Sequence, residues 1–565
     1  MASTSTARLA ELESKLAVFT PKAALRKLEC LEQLEEAKLS SARQVERLHE
    51  VLCFLRAYPD DEPVLVQVER MLASFRERSD LRRFRSGLDD TGIAGTDIHY
   101  SFFAPMARWL ATRYGDSLEV DWQGYKEPSL KAWIESFVLP AEIPGFYDAK
   151  LGARQWVDLL RRPDETDAAF LIRSFDALPA DASVSQRAFE NSNLYFRING
   201  SAGGPSRTVA RYARAEVHYQ KTPLRRNRPV LARAVETPPR SIRFVSPREG
   251  RKLIDLAREA MVTRSRDLDS FACGNPNDVR IIDCGDGLQF ACIGLVPDQR
   301  LVLEAVYAFL SLKNGVPIGY VLVSALFESS EIAYNVFDTY RGGEAGYVYG
   351  RVLGTVRALF GTDSFTIYPY QLGHKNAEGI KSGAWWFYQK LGFRARDKGV
   401  LKLMRSELAS MRRNPKHRSD RTALKRLAAQ NVYWTIGPRR DDVIGVFPAV
   451  ELSLAITRYV AERFGSDRRR GVRVMAEEAA SRLGVRRWRD WPRSERTAFE
   501  RWSPLILLLP GVDRWTRSSV RALIRVVRAK GGVRESEYVK LFDGHARLRA
   551  SLLQLARSGE NESNT

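Results

Sequence analysis

Apolar residues recur at helical spacing through the first stretch of the chain. Thr20-Pro21 reads as an N-cap followed by proline at the first helical position. Leu25, Leu28, Leu31 and Leu34 then form a slowly turning apolar stripe on one helix side. A second helix is expected from Ser40 to Tyr58, with Val45, Leu48, Leu52 and Leu55 on one face. Pro59-Asp60-Asp61 breaks it, and Pro63 opens a third helix over about Val64 to Arg78. Residues 1–88 therefore predict a small helical bundle, with His49 on a helix surface.

Between residues 89 and 240 the pattern is mixed. Asp89 to Thr96 reads as a loop. Ala104 to Tyr114 reads as a helix with Met106, Trp109 and Leu110 apolar. Arg197 to Arg240 is rich in Gly, Pro and Arg, which suits a linker or an irregular wrapping segment. A domain boundary is expected near Arg240.

From Ser241 the period changes. A short strand, Ser241 to Val245, precedes a helix opened by Pro247 and striped by Leu253, Ile254, Leu256 and Ala257. Strand-like runs follow at Val279 to Ile282, Leu288 to Ile293 and Leu301 to Leu312. Lys313-Asn-Gly315 signals a hairpin, because Asn-Gly adopts positive φ readily. Further runs rich in Val, Ile, Tyr and Phe cover Ile318 to Phe327 and Glu331 to Phe337. Antiparallel hairpins after a strand–helix unit predict an α+β fold.

Val336 then leads into Phe-Asp-Thr-Tyr-Arg341-Gly342-Gly343-Glu344-Ala345-Gly346, and Tyr347 to Phe360 reads as a helix. A strand ending in a Gly-rich turn that opens a helix can bind anions. Glycine lets the backbone approach closely, and the helix N-terminus offers unpaired N–H groups. Ser364 to Tyr368 reads as the next strand, followed by Ala384-Trp-Trp-Phe-Tyr388-Gln-Lys-Leu-Gly-Phe393.

Here the sequence resembles the GNAT superfamily of acetyl-CoA-dependent acyltransferases. Phe387-Tyr388-Gln-Lys-Leu-Gly392-Phe393 is similar to the family's second signature. Val336, Arg341 and Gly346 fit its first signature, and Glu344 stands where the family has a glycine. The resemblance covers residues 241–407 and implies a mainly antiparallel mixed sheet with helices. It implies acyl-CoA, acetyl-CoA included, as donor, and direct attack by the amine of an acceptor that the sequence leaves unidentified. By the same resemblance, the backbone at Val336 would hold the pantetheine arm. Gly342, Gly343, Ala345 and Gly346 would hold the pyrophosphate, with Arg341 adding charge. Tyr388 would be the acid to the departing thiolate and Glu331 the base, with Asp338 and His374 as further base candidates. Glu344 is a departure with a cost: a carboxylate about 4 Å from a phosphate charge loses several kcal/mol at an effective dielectric of ~20.

Charge changes the picture most in the last segment. The 565 residues carry 89 Lys and Arg against 68 Asp and Glu, a net of +21. Leu401 to Thr565 alone holds 35 against 18, or +17, with 30 of the 35 cations Arg. Residues 408–565 are expected to form a basic helical domain. Helices are expected at Phe447 to Arg463, Gly471 to Leu483 and Arg514 to Lys530. Arg517, Arg521, Arg525 and Arg528 form a guanidinium row, with Trp488, Trp491, Trp502 and Trp515 among the arginines. Such a row suits nucleic acid or an acidic protein partner, and equally suits ordinary helix packing.

The remaining composition narrows the classes. The five cysteines are scattered without a CxxC pair, so neither a disulfide scaffold nor a zinc module is expected. No metal is expected. Met1-Ala-Ser-Thr-Ser-Thr lacks a charged-then-apolar leader pattern. The longest apolar run, Leu505 to Val512, is too short to span a bilayer. A cytoplasmic multidomain protein is the expectation. Two functions stay open: an N-acyltransferase, or an inactive or remodelled GNAT-fold binding protein whose basic module grips a polyanion or acidic partner.

Overall fold

The computed structural model describes residues 2–126, 130–178, 182–200, 203–266 and 268–563. The fold is α+β, and the chain divides into two compact units. The first contains Met1–Leu224, Arg251–Cys273 and Leu312–Ile318. The second contains Arg225–Gly250, Gly274–Ser311 and Gly319–Thr565. These divisions differ from those expected near residues 88, 240 and 407.

In the first unit, α1 (Ala2–Lys15), α2 (Pro21–Glu36), α3 (Ala42–Ala57) and α4 (Glu62–Ala73) share one apolar core. Side chains of Thr20, Ser41 and Asp61 cap α2, α3 and α4 by accepting main-chain N–H groups that the helices leave unpaired. Leu31 and Leu34 are fully buried, but Leu25 is 65% exposed. A three-residue repeat falls back about 60° per step on a 3.6-residue helix, so Leu25 lies opposite Leu34. His49 is buried, contrary to expectation. Its Nε2 lies 2.9 Å from the Thr208 hydroxyl, and the Cys53 sulfur sits one turn on, 3.7 Å from Nδ1. Lys27 of α2 is also buried and pairs with Asp60 at 2.8 Å. β1 (Ile98–Tyr100), β2 (Leu118–Val120) and β3 (Phe196–Ile198) form a small antiparallel sheet with β3 central. The expected helix appears as α5, Ala104–Tyr114.

The second unit is built on a nine-stranded sheet. Its strands are β4 (Ser241–Phe244), β5 (Gly274–Gly285), β6 (Leu288–Leu295), β7 (Ala305–Lys313), β8 (Val316–Leu326) and β9 (Ser329–Val336), then β10 (Ser364–Ile367), β11 (Arg394–Ala395) and β12 (Val432–Thr435). Strands β4 to β9 lie side by side in chain order. The β7–β8 turn uses Asn314 and Gly315, both at positive φ, as the Asn-Gly signal predicts. Helix α6 (Pro247–Val262) follows β4, and α7 (Ala345–Phe360) carries the chain from β9 to the parallel strand β10.

Two features redraw the expected 241–407 domain. β12 lies between β10 and β11, with Phe365 opposite Trp434 and Arg394 opposite Tyr433. The sheet is therefore completed by residues assigned from sequence to the basic helical domain. At the other end, residues 225–240 lie against α7 as a strap. A Cβ on Gly350 would meet Ala234 and Pro229 at 3.1–3.2 Å, and one on Gly354 would meet the Thr237 carbonyl at 2.7 Å. Arg351 donates to the Thr237 and Pro238 carbonyls at 3.0 and 2.8 Å.

The C-terminal helices include α8 (Ala384–Leu391), α9 (Ala449–Phe464), α10 (Arg468–Leu483), α11 (Arg493–Leu508), α12 (Arg517–Lys530), α13 (Glu535–Asp543) and α14 (Ala546–Ser563). A buried polar network ties α13 to the sheet. The Asp278 carboxylate accepts from the Tyr307 hydroxyl at 2.7 Å and from the Glu535 N–H at 3.0 Å. The Ser536 N–H donates to the Tyr307 oxygen at 2.7 Å. Among the described residues no helix is long and apolar enough to cross a membrane.

Candidate functional site

The site begins where two parallel strands part. β9 and β10 pair only at Ser329–Ser364, Ser330–Phe365 and Glu331–Thr366. Beyond Glu331, β9 continues to Val336 paired with β8, from Ile332 opposite Val323 to Val336 opposite Gly319. β10 ends at Ile367, which pairs with Val432 of β12. Five residues of β9 thus leave β10 behind, and Ala333 to Val336 are only half-buried.

Glu331 stands at the last paired position. Burial and the nearby Glu304 carboxylate raise its pKa to about 7. Glu304 is itself raised by burial and accepts a hydrogen bond from Ser324, the residue opposite Glu331 on β8. Tyr368, just past β10, is pushed well above the ordinary phenol range by burial and by both carboxylates. Glu304, Glu331 and Tyr368 form one coupled cluster at the parting point. Sequence reading named only Glu331. Glu304 sat inside an expected strand and Tyr368 at a strand end, and neither pattern carries a signal of proximity.

The loop after β9 leads into α7. The Tyr340 carbonyl accepts from Gly343 N–H at 2.9 Å, and the Val348 N–H closes the first helical turn on the Glu344 carbonyl at 2.9 Å. The amides of Ala345, Gly346 and Tyr347 precede that first bond and have no partner within the helix. A Cβ on Gly342 would meet nothing within 4 Å, whereas one on Gly346 would meet Pro229 at 3.4 Å. Gly346 therefore faces the strap. Arg341 is half-exposed and turns back on the loop: it pairs with Asp338 at 2.8 Å and with Glu378, and its Nε donates to the Val336 carbonyl at 3.3 Å. Glu344 is buried, and its carboxylate accepts the Arg225 main-chain N–H at 3.0 Å.

Tyr388 lies in an aromatic cluster, with ring centroids 5.6 Å from Tyr349 and 5.7 Å from Phe393. It is 3% exposed, and burial holds its hydroxyl well above the ordinary phenol range. Tyr349 bridges this cluster to β9 by packing on Tyr334, whose hydroxyl donates to the Ala345 carbonyl at 2.9 Å. His374 is exposed on the turn after Pro369, and Asp338 is exposed beside Arg341.

Among the described residues no three or more His, Cys, Asp or Glu are grouped to hold a metal ion. No family model matches the chain, and no curated protein or solved structure is significantly similar to it.

Proposed function

We propose that the protein is a GNAT-like N-acyltransferase that takes an acyl group from acyl-CoA. The observation that carries this reading is the early parting of β9 and β10 beside a glycine-bearing loop that opens α7. The edge of β9 from Ala333 to Val336, half-buried and left unpaired by β10, can pair with the amides of a pantetheine arm, which has the polar spacing of an extended chain. The α7 N-terminus then lies where an anionic end of the same ligand gains most from unpaired N–H groups.

Glu331 suits the base role because a carboxylate with a pKa of about 7 is half-ionised at neutral pH. It removes the proton from the attacking amine, the amine nitrogen bonds to the thioester carbonyl carbon, and the carbon–sulfur bond breaks. Tyr388 stays protonated at neutral pH and is the assigned donor to the thiolate. The five cysteines form no disulfide, which suits the reducing cytoplasm.

Glu344 favours a second reading, a remodelled fold that binds without acyl transfer. Its buried carboxylate already sits at the first turn of α7, where a pyrophosphate would go. Calorimetric titration with acetyl-CoA separates the two. Saturable heat supports the transferase, and no heat from the folded protein at millimolar ligand supports the second reading.

A further inference from the structure

The C-terminal helices carry a second feature that acyl transfer does not use. Between α10 and α11 lies a cleft of about 540 Å³. Arg473, Arg489, Arg493 and Arg496 line it, with Glu477 and Glu500 as the opposing charges. Arg489 is paired to Glu477 at 2.6 Å, while Arg473 and Arg493 are exposed and, among the described residues, no carboxylate lies within ion-pair distance of either.

The next helix extends this charge. On α12, Arg517, Arg521 and Arg525 are exposed, one turn apart, on one face. Arg528 shares that face. Its guanidinium lies 4.8 Å from the Trp491 ring centroid and pairs with Glu495 at 2.6 Å. Trp491 and Glu495 stand two residues either side of Arg493 in the chain, so Arg528 packs the α12 row against the start of α11, the helix that carries Arg493 and Arg496. From Arg517 to Arg528 the row runs about 16 Å at 1.5 Å per residue. A nucleic-acid duplex presents roughly ten phosphates over that length.

The tryptophans decide between nucleic-acid forms. Binding to single strands relies on aromatic faces that bases can stack on. Trp488 and Trp515 are each 7% exposed and Trp502 is fully buried. Trp491 is only half-buried, but its ring is covered by Arg528. The arginines are outside, and of the rings Trp488 lines the cleft but exposes too little of its face for a base to stack on. Guanidinium groups make forked hydrogen bonds to phosphate oxygens.

We propose that the α10–α12 face binds the phosphate backbone of duplex nucleic acid without reading its sequence. This does not depend on the transferase reading, and its test needs no acyl donor. The probe is a labelled DNA duplex of about 24 base pairs and arbitrary sequence, long enough to cover the face. It is titrated with the full chain and followed by fluorescence anisotropy. Affinity is expected to fall by about a thousandfold between roughly 50 and 200 mM salt. The variants R517Q/R521Q/R525Q and R473Q/R493Q, checked for an unchanged far-UV circular dichroism spectrum, should each bind at least about tenfold more weakly. The α12 triple variant should also lose about two to three from the slope of log affinity against log salt. The proposal is overturned if the wild type shows no salt-dependent duplex binding, or if both variants bind as the wild type does. Tighter binding of the unpaired strand would overturn it too, as would tighter binding of polyglutamate of equal charge, which would point to an acidic protein partner.

Discussion

The Glu344 carboxylate accepts the main-chain N–H of Arg225 at 3.0 Å, joining the loop that opens α7 to the strap at residues 225–240. The residue that departs from the family's glycine is thus buried against the strap. Removing it leaves the Arg225 N–H without that acceptor. Such an unmet group costs about 1–3 kcal/mol. Glu344→Gly should therefore lower the urea midpoint and speed cleavage by trypsin between residues 225 and 240. If an anionic ligand does bind at the α7 N-terminus, the same variant should bind it more tightly, because a like charge has gone.

The strap also depends on the absence of side chains along α7. A Cβ on Gly354 would come within 2.8 Å of the carbonyl oxygens of Ala234 and Thr237, both backbone atoms. Gly354→Ala gains helix propensity of about 1 kcal/mol. The overlap should outweigh that gain, since forced overpacking costs about 1–3 kcal/mol. Reduced thermal stability is the expected result, and a more stable variant would refute close strap packing.

Glu331 gives two pH signatures. Its folded pKa of about 7 lies above the ordinary glutamate value of 4.5. The folded state therefore binds the proton more tightly than the unfolded chain does. The stabilisation is full below about 4.5 and is lost as pH rises towards about 7. Relative to Glu331→Gln, the wild type should lose up to about 3 kcal/mol over that window, measured by urea unfolding at several pH values. If Glu331 is the base, acyl transfer should rise with pH and level off above about 7. Glu331→Gln should then lower the rate by about a hundredfold or more.

Lys530 and Glu535 pair at 2.6 Å with both side chains buried, and Lys530 also donates to the Glu304 carbonyl at 2.7 Å. Burial lowers the Lys530 pKa while Glu535 opposes that shift. Breaking a buried pair from one side leaves an uncompensated charge and costs about 3–5 kcal/mol. Lys530→Met should be destabilised by that order. Glu535 also faces the buried Arg300 guanidinium at 3.8 Å, so Lys530→Met with Glu535→Leu, which strands Arg300, should recover little of the loss, and a double variant as stable as the wild type would argue against this network.

Tyr388→Phe tests the acid role apart from packing. The ring contacts with Tyr349 and Phe393 survive the change, so stability should move by less than about 1 kcal/mol. Acyl transfer should fall with acetyl-CoA affinity unchanged, and full activity would remove Tyr388 from the mechanism.

Local signals were legible in the sequence wherever a residue acts on its own segment. Thr20 caps its helix because the acceptor is three residues from the donor. Asn314-Gly315 makes its turn because positive φ is a property of those two residues. The run from β9 through the loop to α7 followed from the change of period and the glycines, and so did the α+β class. Charge segregation and the arginine row of α12 were also readable, since a helix repeats its face every 3.6 residues.

Tertiary structure decided whatever depends on residues distant in the chain. β12 could not be placed between β10 and β11 from its four residues, because strand pairing is set by distant partners. His49 and Lys27 are polar types usually found outside, and their burial rests on partners distant in the chain, Thr208 and Asp60. The pKa of Glu331 depends on its burial and on Glu304, which folding brings near it. The chain's own pattern set which segments are helices and strands, which glycines mark turns and where the charge lies. Folding set which carboxylates meet, which tryptophans are hidden and which arginines remain outside, because burial and proximity exist only once distant segments pack.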